Sequence, residues 1–156
     1  MDKSLAVILP SDLRNNLKFE TIRLDKPLAL VLPTTSLGNI NNTTQQMLQN
    51  SLENELKNNF KLISKEIFEK AQEQAFQELD FEECTEDQCI LLIQEMLQVE
   101  NAFQLEIVRE EADTQLSISL RTLDESLKQS EICSSCSIVK LNENLVNIYN
   151  KLLKRL

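Results

Sequence analysis

The sequence predicts a single-domain α/β sandwich in which about four helices pack a mixed sheet. Three observations carry this. Apolar runs closed by proline alternate with segments of helical spacing. Residues 103–107 and 116–120 switch to alternation with a period of two. The chain has 156 residues, 42% apolar and 26% charged, enough for one hydrophobic core and too few for two.

Each element follows from its residues. Lys26 to Pro33 is an apolar run closed by proline, the pattern of a strand covered on both faces. Lys3 to Pro10 repeats that pattern, and Lys18 to Leu24 is a further candidate strand, so residues 1–25 read as a strand extension before a unit spanning 26–156. Residues 34–42 read as a polar loop. Asn41 or Asn42 can cap a helix whose buried stripe is Leu48, Leu52 and Leu56. Phe60 to Ile63 form a short strand. Ser64 caps a second helix, with Phe68, Ala71, Ala75 and Leu79 inward and Lys65, Glu66, Glu69, Glu73 and Gln77 in water. Thr85 and Gln88 fit a capping box for a third helix, in which Cys89, Leu92 or Ile93, Met96 and Leu97 face inward. Phe103, Leu105 and Ile107, then Leu116, Ile118 and Leu120, make an antiparallel hairpin with one wet face. Asp124 to Ser130 reads as loop. Leu141, Leu145, Ile148, Leu152 and Leu156 stripe a last helix, with Ser137 as its cap.

The composition argues against an enzyme. There is no His, which removes Ser-His and Cys-His nucleophile pairs and imidazole metal ligands. A single Gly, Gly38, removes the glycine-rich phosphate loops. The paired acids Glu82-Glu83, Glu86-Asp87 and Glu110-Glu111 have no partner residues to which acid and base roles can be assigned. No cofactor is expected.

The net charge is −9, and residues 66–111 hold 14 acids against Lys70 and Arg109, a local −12. That charge repels a phosphate backbone and excludes nucleic acid as the expected partner. It suits a basic protein, with Glu66, Glu69, Glu73, Glu82, Glu83, Glu110 and Glu111 as candidate contacts. A free sheet edge is a second candidate surface, for a partner strand or for a second copy of this chain. No run approaches the ~20 apolar residues of a membrane span. Met1 to Arg14 lacks the features of a secretory signal, so the chain as it stands reads as cytoplasmic, or as a domain whose export signal is missing.

Four cysteines occur as Cys84-x4-Cys89 and Cys133-x2-Cys136. They could form two disulfides, stay as thiols, bind zinc as four thiolates, or act as a redox pair at Cys133. A bond within a pair closes a short loop. A bond between pairs closes about 45 residues and stabilises by roughly 3–4 kcal/mol.

Several segments, read in order, resemble a superfamily of bacterial cell-envelope accessory domains: TolB N-terminal-like, CsgG-like and LpoB-type. The segments are the strand Phe60 to Ser64, the cysteine-framed helix entry Cys84 to Ile90, the hairpin Ala102 to Val108 with Thr114 to Asp124, and Cys133 to Leu156. The resemblance covers roughly residues 26–155. The family's helix-to-strand turn usually holds Gly, whereas Leu97 to Asn101 has none. The resemblance implies a periplasmic or envelope location, no shared catalytic site, and binding to another protein as an accessory or regulatory domain. The cysteine-based module, zinc or redox, is the alternative.

Overall fold

The structure, a computed structural model, describes residues 26–79 and 87–156. The expected strands in residues 1–25, together with Glu82, Glu83, Cys84 and Thr85, lie outside the described residues. The elements are β1 (Leu28–Val31), β2 (Thr35–Leu37), α1 (Asn42–Leu56), β3 (Lys61–Leu62), α2 (Lys65–Leu79), α3 (Asp87–Leu97), β4 (Asn101–Glu110), β5 (Asp113–Arg121), β6 (Ser126–Ser134) and α4 (Ile138–Leu153).

The sheet runs β3-β1-β4-β5-β6, and β2 pairs with β4 beyond the end of β1. β1 is parallel to both of its neighbours, and β4, β5 and β6 form an antiparallel meander. The α/β class, the mixed sheet and the hairpin are as the sequence predicts. Two loops are corrected. Asp124 to Ser130 is mostly β6, and Thr35 to Leu37 is β2. Neither shows an apolar period, because β6 is an edge strand whose Ser126, Lys128 and Ser130 lie on the open face, and all three β2 residues are exposed.

Alternation in β1 explains why a run of consecutive apolar residues is needed there. Ala29 joins one core cluster and Leu30 the other. The first lies between the sheet and α1 with α4: Leu48, Leu52, Leu56, Leu141, Leu145, Ile148 and Leu152 meet Phe103, Leu105, Ile107, Leu116, Ile118 and Leu120. The second lies under α2 and α3, where Phe68, Ala71, Ala75, Cys89, Ile90 and Ile93 meet Leu30, Val99 and Ala102. The caps are Asn41, which accepts from Thr44 N–H at 2.7 Å, and Ser137, which accepts from Lys140 N–H at 3.2 Å. Ser64 Oγ likewise accepts from Ile67 N–H at 3.2 Å at the start of α2.

The turn without glycine is resolved by Gln98, which adopts φ 55°. Val99 N–H donates to Gln94 C=O at 2.8 Å and Gln98 N–H to Glu95 C=O at 3.3 Å, the Schellman closure of a helix. That closure wants a left-handed residue, and a side chain there is strained. Gln98→Gly is therefore expected to stabilise the protein by about 1 kcal/mol in urea unfolding.

Tyr149 is 1% exposed, stacks edge-on against Phe103 (ring centroids 6.4 Å apart), and donates its hydroxyl to Asn59 Oδ1 at 2.9 Å. Burial first, and the Glu55 charge second, push its phenol up to about 12 from 10.0. The unfolded chain releases this proton near pH 10 and the folded one only near pH 12. The stability it contributes is whole below pH 10 and falls, by on the order of 2 kcal/mol, as pH rises towards 12. Alkaline urea titrations should show that drop in the wild type and not in Tyr149→Phe.

Candidate interaction surfaces

A groove of about 750 Å³ opens beside β3, at the edge of the sheet. Its apolar lining includes Val31, Leu62, Ile63 and Phe68. One wall is α1, with Gln45, Gln49, Glu53 and Lys57, and the other is the start of α2, with Lys65, Glu69 and Gln72. The α1 wall is held in place by hydrogen bonds. Gln49 accepts from Thr34 Oγ1 and donates to Glu53 at 3.0 Å, while Gln45 donates to Thr34 C=O at 3.3 Å.

Among the described residues, backbone pairing fixes which β3 groups face a neighbouring strand and which face the groove. Lys61 N–H donates to Pro27 C=O at 2.8 Å and Ile63 N–H to Ala29 C=O at 2.9 Å. Strand alternation then turns the N–H and C=O of Leu62 away from β1, towards the groove. The opposite edge differs. At β6, Arg155 donates to Lys128 C=O at 2.9 Å and to Gln129 Oε1 at 3.3 Å, and Lys151 pairs with Glu131 at 2.8 Å. The end of α4 thus covers part of that edge, one way in which proteins blunt exposed strands.

The structure does not gather the candidate acids. Glu66, Glu69 and Glu73 lie exposed along α2, Glu66 facing Lys70 at 3.6 Å, and Glu69 also lines the groove. Glu110 and Glu111 sit at the β4–β5 turn. Asn101 is level with Leu62, where α2 is about to begin, so Glu110 lies roughly 30 Å further along the strand direction. These are two separate acidic surfaces.

The second acidic surface adjoins the cysteines. Cys133 and Cys136 form a disulfide, their Cα atoms 5.9 Å apart, between the end of β6 and the start of α4. Ser135 N–H donates to Ala112 C=O at 2.8 Å and Ser134 Oγ to Asp113 Oδ1 at 2.7 Å, which ties this corner to the turn that carries Glu111. A bond between the two cysteine pairs, one of the alternatives, is thus not formed by Cys133 or Cys136. The disulfide also removes two of the four thiolates an all-cysteine zinc site needs, and Cys89, fully buried, is disulfide-bonded as well. No spacing along the chain signals the groove, whose walls come from segments separated in sequence.

Taken together, the fold and these surfaces define an α/β sandwich in which, among the described residues, one sheet edge is partly covered by α4 and the other has no strand beside it. One solved structure bears on the fold. The chain is similar to the LpoB C-terminal domain from Salmonella enterica, with a TM-score of 0.51 and 16% identity over 76% of this chain and 93% of that domain. The Escherichia coli LpoB C-terminal domain gives a TM-score of 0.48 and 16% identity over 67% and 82% of the two chains. Lipoprotein GNA1162 from Neisseria meningitidis gives 0.47 and 11% over 81% and 96%. At this identity the first likeness shows a shared fold alone, and the other two, below a TM-score of 0.5, carry no argument. No family model and no curated protein matches the chain. Among the described residues, no helix is long and apolar enough to cross a membrane.

Proposed function

We propose that this chain is a non-enzymatic accessory domain that binds another protein within a cell-envelope assembly, as the LpoB-like fold suggests. The observation that carries the reading is that fold combined with cysteines held as disulfides, the state that persists in oxidising compartments. The order of the sequence elements supports placing it with the wider TolB N-terminal-like and CsgG-like domains. The binding unit is residues 26–156, with 1–25 as an extension. The exposed acids Glu66, Glu69 and Glu73 suit a basic partner, and Glu82 and Glu83 extend that charge along the sequence. Association with a second copy through a sheet edge is the alternative use of the same fold.

The test is photo-crosslinking in the source cell, with the reactive residue placed in turn at Gln46, Glu73 and Glu111. A discrete adduct with a second polypeptide at one or more of these positions is expected. Absence of any adduct at all three would sink the protein-binding reading. Intact mass without reductant should be about 4 Da below the fully reduced mass, for two disulfides. Fully reduced thiols in protein taken directly from cells would remove the envelope placement.

A further inference from the structure

We propose that the groove at the open β3 edge takes an extended segment of the partner protein as an added strand, an inference that deepens the protein-binding reading and rests on it. Three features converge there. The Leu62 N–H and C=O face out of the sheet with no strand beside them among the described residues. The groove runs between helices on opposite faces of the sheet, so both faces of an inserted strand would be covered. Its α1 wall carries the amides Gln45, Gln46 and Gln49, which can donate to and accept from a peptide backbone.

The chemistry of the occupant follows from the walls. Side chains of an added strand point alternately to the two faces. Those on the α2 side meet Phe68 and Ile63, which suit small apolar groups. Those on the α1 side meet Val31 and Leu62 at the sheet and Gln45, Gln49 and Glu53 on the helix, which suit groups with a short apolar stem and an amide or hydroxyl end. Glu53 and Lys57 on one wall balance Lys65 and Glu69 on the other, so the segment should carry little net charge. The β6 edge, where Arg155 already holds the Lys128 carbonyl, fits this role less well.

The test uses the full chain and a random-sequence peptide display library. Enriched peptides should alternate apolar with amide or hydroxyl residues. N-methylation of the peptide group opposite Leu62 should weaken binding about tenfold, the loss of one hydrogen bond and its register. Bound peptide should slow hydrogen exchange at the Leu62 amide. Glu69→Trp, an exposed position that fills the groove, should abolish binding, and Glu143→Trp on α4 should leave it intact, with circular dichroism confirming that both variants fold. The proposal is overturned if no peptide is enriched, or if enriched peptides bind Glu69→Trp as well as wild type. It is also overturned if a glycan fragment, and no peptide, occupies the groove, or if residues 1–25 of the chain itself crosslink to Gln46. A photo-adduct at Glu111 without peptide binding in the groove would overturn this inference and leave the protein-binding reading standing.

Discussion

Gln94→Glu should cost the protein about 3–4 kcal/mol at neutral pH, and Gln94→Leu about 2–3 kcal/mol, in urea unfolding. Gln94 is a buried polar residue at the end of α3, 1% exposed. Its amide nitrogen faces three carbonyls: Glu100 at 2.9 Å, Arg121 at 3.1 Å and Val99 at 3.4 Å. One side chain thereby joins α3, the turn into β4 and the end of β5. Leucine removes the donor that the Val99, Glu100 and Arg121 carbonyls share. Glutamate adds a charge that faces oxygens, and burial raises its carboxyl pKa. The sign follows. The folded variant holds its proton to higher pH than the unfolded chain, so the deficit shrinks as pH falls through the raised pKa towards about 4.3. Glutamate has the shape of glutamine, so a deficit in Gln94→Glu that did not shrink on acidification would show that the lost amide donors, and not the buried charge, set its cost.

Gly38→Ala should cost about 2–3 kcal/mol and lower the melting temperature by roughly 5–10 °C. Gly38 has φ 97°, a conformation L residues rarely adopt. A methyl group there would meet the carbonyl oxygen of Arg109, which is backbone and cannot swing aside. The position directly follows Leu37, which pairs with Val108. Relief would come only by releasing β2 from β4, and that exposes the end of β4. The cost is bounded by the worth of that short strand. Differential scanning calorimetry of the purified variant checks it, and an unchanged melting temperature would show that β2 is already loosely held.

Much of the fold could be read from spacing. Leu48, Leu52 and Leu56 announce α1 because each faces one core, and β4 and β5 announce themselves because one face of each is apolar. What escaped was structure without a hydrophobic period. Within β6, Leu127 packs against the core, but Ile132 is 67% exposed on the open face, so its apolar residues do not alternate. Strand pairing with β5, a long-range fact, makes it a strand. The same holds for the surfaces. Glu66, Glu69 and Glu73 were visible as an acidic face, yet the groove they border needs Gln45 and Gln49 from another helix and Leu62 from an edge strand. Gln45, Gln46 and Gln49 lie off the Leu48, Leu52 and Leu56 stripe, and amides on a helix carry no spacing that marks a groove. The absent glycine in the turn after α3 was legible. That Gln98 would adopt the left-handed conformation itself was not.

Among the described residues, the sheet divides the interior into two packed bodies of unequal size, 17 buried residues on the α1 and α4 side against 10 on the α2 and α3 side. Local opening draws on the contacts it breaks, so the lighter layer should detach at lower free energy than the whole molecule unfolds. Amide protons in α2 and α3 would then exchange through a partial melting that leaves the meander and its two helices folded. A protein gripping this domain through α2 would be gripping its loosest part, and its hold would rise and fall with that breathing.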